Sequence, residues 1–242
     1  MRSENDLCLI LINAAKALNW VAYAETSTWD VVLVRDSIQI GVQAKVHANI
    51  HLLGQALPAG LKQRQQQRPP SEYRANGPQY RTILVPQPTR ELLAIGDLLK
   101  LWVFGATGLG FELLRAPEQY LQYQWHPERS VWTPDVVPEV PAGAPAPVRL
   151  TRWTQQALRL LAIARVQGFV TSADATKLGI SLKTFTDRHP ATRWLQKCGQ
   201  SGRRFNWELV GQDRSRPDIQ HPAEFEQYCA QVPVDGPRFM LE

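Results

Sequence analysis

The sequence predicts an α/β protein in two parts, a mixed sheet flanked by helices followed by a small basic helical domain, and three observations carry that reading. Within the first 120 residues, apolar residues at helix and strand spacing alternate in the order α, β, β, β, α, β, α, β. A Pro/Ala-rich stretch at residues 133–149 then interrupts the chain. Beyond it, residues 149–210 hold eleven Lys and Arg against three acids, whereas the first sixty residues are close to neutral.

The elements follow in order. Leu7, Ile10, Leu11, Ala14 and Leu18 recur at helical spacing, so residues 5–18 form an amphipathic helix with Ser3 as its N-cap. Residues 21–24 and 29–34 are β-rich, and Arg35, Asp36 and Ser37 turn the chain into a third strand. There Ile38, Ile40, Val42, Ala44 and Val46 alternate with Gln39, Gly41, Gln43 and Lys45. A period of two sends the apolar set to a core and brings Gln43 and Lys45 together on the opposite face. Residues 47–57 read as a helix, 81–85 as a buried strand, 89–101 as a helix, and 111–114 as a strand after the turn-rich GATGLG of residues 105–110. Residues 61–79, basic, glutamine-rich and broken by prolines, read as a loop.

After the linker, Ala157, Leu160, Leu161 and Ala164 mark a helix over residues 153–166. Ala175 stands four positions before Gly179, and Ser181 opens a third helix running towards Gln196, which is the outline of a helix-turn-helix. CGQSGRRFNWELV at residues 198–210 reads as a hairpin with Gly202, Arg203 and Arg204 near its tip, in the position of a wing. The domains are therefore 1–132, a linker at 133–149, a winged-helix-like domain at 150–212, and a tail at 213–242. Lys183, Thr184 and Arg188 on the third helix, with Arg203 and Arg204 on the wing, are the candidate groove and phosphate contacts.

Composition bounds the function. The 242 residues are 44% hydrophobic, ample for ordinary cores, and a formal charge of +5 permits a polyanionic partner. Cys8, Cys198 and Cys229 are odd in number and far apart, which argues against a disulfide framework or a zinc site and suits a reducing cytoplasm. The apolar run at residues 7–20 follows Glu4 and Asp6 and contains Lys16, which is wrong for a signal peptide and too short for a membrane span. No membrane partner is expected. His47 and His51 have i, i+4 spacing on the expected helix, but no HExxH glutamate or third ligand accompanies them. GATGLG departs from GxGxxG and precedes strand-like residues, so it reads as a turn.

The chemistry lies in the first part. Cleaving a phosphodiester needs an activated water, an electrophilic clamp on the phosphoryl oxygens and compensation of the leaving charge, and carboxylates holding Mg²⁺ supply most of this. Asp30 heads one strand, Gln43 and Lys45 lie on the next, and Glu4 sits in the first turn of the first helix on its core-facing side. Asp30 and Glu4 are the available acids, Gln43 offers a side-chain oxygen, and Lys45 is the compact cation for the attacking water or the pentavalent phosphate. Singly, each also reads as an ordinary strand end, solvated face or dipole-favoured acid.

Asp30 followed by Gln43-Ala44-Lys45, within that element order, resembles the PD-(D/E)XK nuclease superfamily. WDVVLVRD, QAK, Asn49 and Gln55 on the following helix, YRTILVP and a GLG turn look like an uncharacterised bacterial family of PD-(D/E)XK phosphodiesterases that end in a helix-turn-helix-like domain. The resemblance covers most of the first 120 residues and, more weakly, 150–210. It implies a restriction-endonuclease-like core with Glu4, Asp30, Gln43 and Lys45 as catalytic residues, Glu4, Asp30 and Gln43 as ligands of Mg²⁺ or Mn²⁺, and Asn49 and Gln55 lining the site. Gln43 stands where a carboxylate is usual and binds Mg²⁺ less strongly; a Gln-x-Lys form also occurs in related transposon-end endonucleases with a winged-helix domain. The expected function is metal-dependent DNA endonuclease activity with a C-terminal DNA-binding module. A catalytically degenerate DNA-binding or regulatory protein on the same fold is the alternative, and a protein-interaction scaffold the third reading. A homodimer or a partner protein is compatible with each.

Overall fold

A computed structural model describes residues 3–57, 77–138, 150–186, 193–201, 204–210 and 216–233. The chain divides into two compact units, Met1–Arg149 and Leu150–Glu242.

The first unit is built on a mixed five-stranded sheet in the order β1-β2-β3-β4-β5, with β1 Val21–Thr26, β2 Trp29–Arg35, β3 Ile38–Ala44, β4 Tyr80–Val85 and β5 Trp102–Gly105. The first three strands form an antiparallel meander, and β3, β4 and β5 run parallel. Parallel neighbours need crossovers, supplied here by α2 Ile50–Ala56 and α3 Arg90–Leu98. Helix α1, Glu4–Lys16, starts where the sequence predicts: the Ser3 hydroxyl accepts the Asp6 amide, and the Asp6 carboxylate accepts the Ser3 amide in return. It buries Leu7, Cys8, Leu11 and Ala15 on one face of the sheet against Val31, Leu33, Ile40, Val42 and Leu84. Leu113 and Leu114 of the short α4, Glu112–Arg115, join the same cluster.

The opposite face of the sheet is covered as well. Leu52, Leu53 and Ala56 of α2 and Leu92 of α3 pack on Trp29, Val32, Ile83, Val85 and Val103. The face opposite the first core, to which the alternation sends Gln39, Gly41 and Gln43, is thus no solvated face, because a sheet with parallel crossovers is clothed on both sides. Gln39 and Gln43 are buried. The Gln39 side chain donates to the Val131 carbonyl and accepts the Val131 amide, as a neighbouring strand would. At Gly41 a Cβ would lie 2.6 Å from both the Trp29 ring and Pro78, so only glycine admits the indole.

Three sequence expectations shift. The strand placed at residues 111–114 is helical, and the fifth strand is Trp102–Gly105. Leu113 and Leu114 are both fully buried, which a strand on a one-faced cluster does not allow and a helical turn does. The absence of a helix after GATGLG therefore no longer argues against a dinucleotide turn, although its glycine spacing still does. Helix α2 begins at Ile50, capped by the Asn49 side chain, so His47 lies outside it and does not share its face with His51.

In the second unit, α5 Arg152–Gln167 precedes β6 Val170–Thr171, α6 Ser172–Lys177, α7 Lys183–Thr186, β7 Leu195–Ser201 and β8 Arg204–Leu209. Thr151 caps α5, and Gly168 ends it at φ 85°. Gly179, at φ 70°, makes the turn between α6 and α7. The third helix, expected to run towards Gln196, has given way to β7 by Leu195. The three strands form a sheet in the order β6-β8-β7. Residues 213–242, expected as a tail, include α8 Pro217–Gln220 and α9 Pro222–Gln231, which pack on α5 and bury Phe225 and Tyr228. No described helix is long and apolar enough to cross a membrane.

Between α8 and α9 lies His221, 2% exposed, with no hydrogen-bond partner at either ring nitrogen among the described residues and Nδ1 3.8 Å from a Glu224 oxygen. Burial holds its pKa below the ordinary 6.5, against a smaller opposing pull from Glu224. The fold therefore prefers the neutral ring, and the unfolded chain binds more protons in acid. Stability contributed here is full above about pH 6.5 and falls as the pH drops towards the lowered value. Urea unfolding at stepped pH should show this loss, and His221→Gln should flatten it; an unchanged slope would count against the assignment. Gly41→Ala should cost about 1–3 kcal/mol through overpacking against Trp29, measured by the same titration at pH 7.5.

Candidate functional site

The predicted site residues come from three elements: the first turn of α1, the start of β2 and the end of β3. Glu4 occupies the first position of α1, where the helix dipole favours an acid. Lys45 follows β3 directly, and its backbone amide donates to the Leu84 carbonyl at 3.0 Å, so β4 fixes the point from which its side chain departs. Its ammonium reaches both oxygens of Glu4, at 2.9 and 2.8 Å. This contact spans 41 positions of sequence and ties the helix start to the carboxyl end of the parallel strands. Both side chains keep close to a third of their surface exposed, so the pair sits at the rim of the fold.

Asp30 and Gln43 stand where β2 and β3 part. The last registered pair is Val31 with Val42. One step further, the Asp30 carboxylate accepts the Ala44 amide at 2.7 Å, replacing a strand carbonyl. The Gln43 side-chain amide donates to the Thr28 carbonyl in the β1–β2 turn, which turns its oxygen the other way. Both side chains therefore hold the end of the sheet, Gln43 from the face that it shares with Gln39 and Gly41.

Asp30 lies near Cys8, which is fully buried on α1. Burial pushes its thiol far above the ordinary range; Asp30, Glu25 and Glu4 add to the rise, and Lys45 opposes it. The four charged groups thus lie within electrostatic reach of one sulfur. Glu25 is the residue that the sequence reading missed. Its register position is opposite Asp30, between the pairs Ala24–Val31 and Thr26–Trp29. It is 4% exposed and adopts φ 46°, a left-handed conformation costly for a residue with a Cβ. Placing the hairpin turn at Ser27–Thr28 would have revealed it, since that choice alone sets the register.

The donor chemistry here fits a hard cation, since carboxylate and amide oxygens are what Mg²⁺ prefers, and it uses one or two protein acids beside its own waters and a substrate phosphate. Among the described residues no three His, Cys, Asp or Glu side chains form a cage for a metal ion. Asp30 and Gln43 are held at the strand end by the Ala44 amide and the Thr28 carbonyl, and Glu4 is engaged by Lys45.

The remaining candidates are dispersed. Asn49 caps α2 by accepting the Leu52 amide at 3.0 Å, and Gln55 lies on the exposed side of that helix. Lys183 and Thr184 are exposed on α7, and Arg204 opens β8 opposite Ser201. Arg188 and Arg203 lie outside the described residues.

If Glu4 and Lys45 are a rim pair, their mutual stabilisation is small, about 0.2–1 kcal/mol. A double-mutant cycle with Glu4→Gln and Lys45→Met, followed by urea unfolding, should return a coupling in that range that shrinks with added salt. A coupling several times larger would mean that the pair is retained for stability.

No family model matches the chain, and neither a curated protein nor a solved structure matches it.

Proposed function

We propose that the first unit is a metal-dependent deoxyribonuclease with a restriction-endonuclease-like core of the PD-(D/E)XK type, and that the second is a winged-helix-like module that binds DNA. The observation carrying this reading is that Glu4, Asp30, Gln43 and Lys45, spread over 41 positions, converge at the end of β3. Acids, an amide and an amine at one sheet end are the groups that metal-assisted phosphodiester cleavage draws on.

Mg²⁺ or Mn²⁺, when bound, would polarise the phosphoryl group and lower the pKa of a bound water. Asp30, fixed by the Ala44 amide, and the side-chain oxygen of Gln43, whose amide is fixed by the Thr28 carbonyl, would hold it. Glu25 supplies negative charge beside them, offsetting the neutral amide of Gln43 where the resembled family has a carboxylate. Lys45 brings one positive charge to the phosphate oxygens, and Glu4 steadies it in the absence of substrate and can join the donor set when the ammonium turns to phosphate. In the second unit, thirteen Lys and Arg against nine acids, with ten against three across residues 150–210, favour a polyanion, with phosphate contacts that weaken as salt rises.

One observation favours the alternative of a degenerate, DNA-binding protein. Each site side chain already has an internal hydrogen bond, Glu4 with Lys45, Asp30 with Ala44 and Gln43 with Thr28, which is also how a site kept for its structure looks.

Incubating the purified chain with plasmid and linear DNA in Mg²⁺, Mn²⁺ or EDTA separates the two. Cleavage should require metal, and Lys45→Ala should lower the rate about 10²–10³-fold, with Asp30→Asn at least as severe. Equal cutting by Lys45→Ala would refute the assignment, and a salt-sensitive gel shift without cleavage would establish the binder.

A further inference from the structure

The β7–β8 hairpin carries an aromatic residue that the core does not use. Phe205, on β8, is 43% exposed, the most exposed aromatic side chain among the described residues. Trp207, half-buried, lies two positions along the same strand and so on the same face. Lys197 stands opposite Trp207 in the register, yet its ammonium lies 3.3 Å from the centroid of the Phe205 ring. The diagonal reach has a visible cause. Between Lys197 and Gly199 the ladder shifts by one residue, a bulge at Cys198, and bulges re-aim side chains.

Burying a phenylalanine is worth about 1.5–3 kcal/mol, and this ring forgoes much of that gain. It is instead held at the surface by a cation on a strand flanked on both sides, β8 lying between β6 and β7. The surrounding segment, residues 149–210, carries the concentrated positive charge of the chain.

We propose that Phe205, with Lys197 against it and Trp207 beside it, is a stacking platform for unpaired bases of a DNA strand. The inference rests on the reading that the second unit binds DNA and narrows it to substrates with a single-stranded part. A flat ring at the surface can stack only on a base whose face is free. In a duplex the faces are covered by neighbouring pairs, and only edges and phosphates are offered. Two residues along a strand span about 6.7 Å, roughly twice the 3.4 Å step between successive bases on a duplex strand. Consecutive bases therefore meet Phe205 and Trp207 only when splayed, which a single strand allows. Lys197 supplies charge for the adjoining phosphate and a cation–π contact to the ring.

The test uses the full chain in EDTA, with fluorescence anisotropy on a labelled single-stranded oligonucleotide and on the same sequence as a duplex. Phe205→Ala should weaken single-strand binding about ten- to hundredfold and leave duplex binding unchanged, while Phe205→Tyr should retain both. Lys197→Gln should reduce the salt slope for the single strand by about 0.7. Circular dichroism should show all three variants folded, as expected for exposed positions. Wild-type single-strand affinity in Phe205→Ala, or an equal loss on both ligands, would overturn the platform. Absence of binding to the single strand with duplex binding intact would overturn it and leave the DNA-binding reading standing; absence of both would end the two together. Metal-dependent cleavage is read separately through Lys45→Ala.

Discussion

The Ala44 amide donates to Asp30 at 2.7 Å, and the geometry of the candidate site depends on this bond. Two antiparallel strands would ordinarily continue their ladder or splay into a loop. Here a carboxylate takes over from a backbone carbonyl just as β3 leaves β2, and the Gln43 amide does the same for the Thr28 carbonyl. Because Lys45 is at the same moment bonded to Leu84 on β4, its side chain has a fixed origin, and Glu4 at the helix start lies within its reach. Residues that would carry the chemistry thus also hold the scaffold, so substitutions here change both and must be compared with isosteric variants.

Covering the sheet on both sides imposes a second constraint. Gln39 and Gln43 are placed inside a three-layer structure, where an unmet amide would cost a few kcal/mol. Each is answered by main chain, Gln39 by Val131 and Gln43 by Thr28. The same layering brings the Trp29 indole against Gly41, where no other side chain fits. Polar positions on β3 therefore do not mark a wet surface. They mark places where loops are stitched to the sheet, Val131 at Gln39 and Thr28 at Gln43.

The second unit follows a different economy of charge and burial. Its apolar core draws on α5, on Val170 and Leu195 of the sheet, and on Phe225 and Tyr228 of α9, so the C-terminal helices are part of the fold. With that core closed, Lys183, Lys197 and the Phe205 ring remain outside, whereas Arg216 is buried against Asp218. An uncharged His221 in the interior and a cationic exterior make this unit sensitive to acid and to salt for separate reasons.

Much of this was legible in the sequence, and the limits are physical. Local signals were sufficient for α1, for the meander, for β4 and for α5, because caps, turns and the two periodicities act within a few residues. They also singled out Glu4, Asp30, Gln43 and Lys45. What failed involved partners distant along the chain. The apolar residues 111–114 fit a strand or a helix equally well until packing against α1 and β5 selects the helix. Gln43 can be read as solvated until α2 and α3 cover its face, and Glu25 carries no signal until the register sets it against Asp30. The sequence by itself determined the elements and the inventory of reactive groups, since both are written in neighbouring residues. Only the tertiary structure decided which groups meet, because strand register and layer coverage are set by contacts between segments tens of residues apart, and a shift of one residue would send Asp30 and Gln43 to opposite faces.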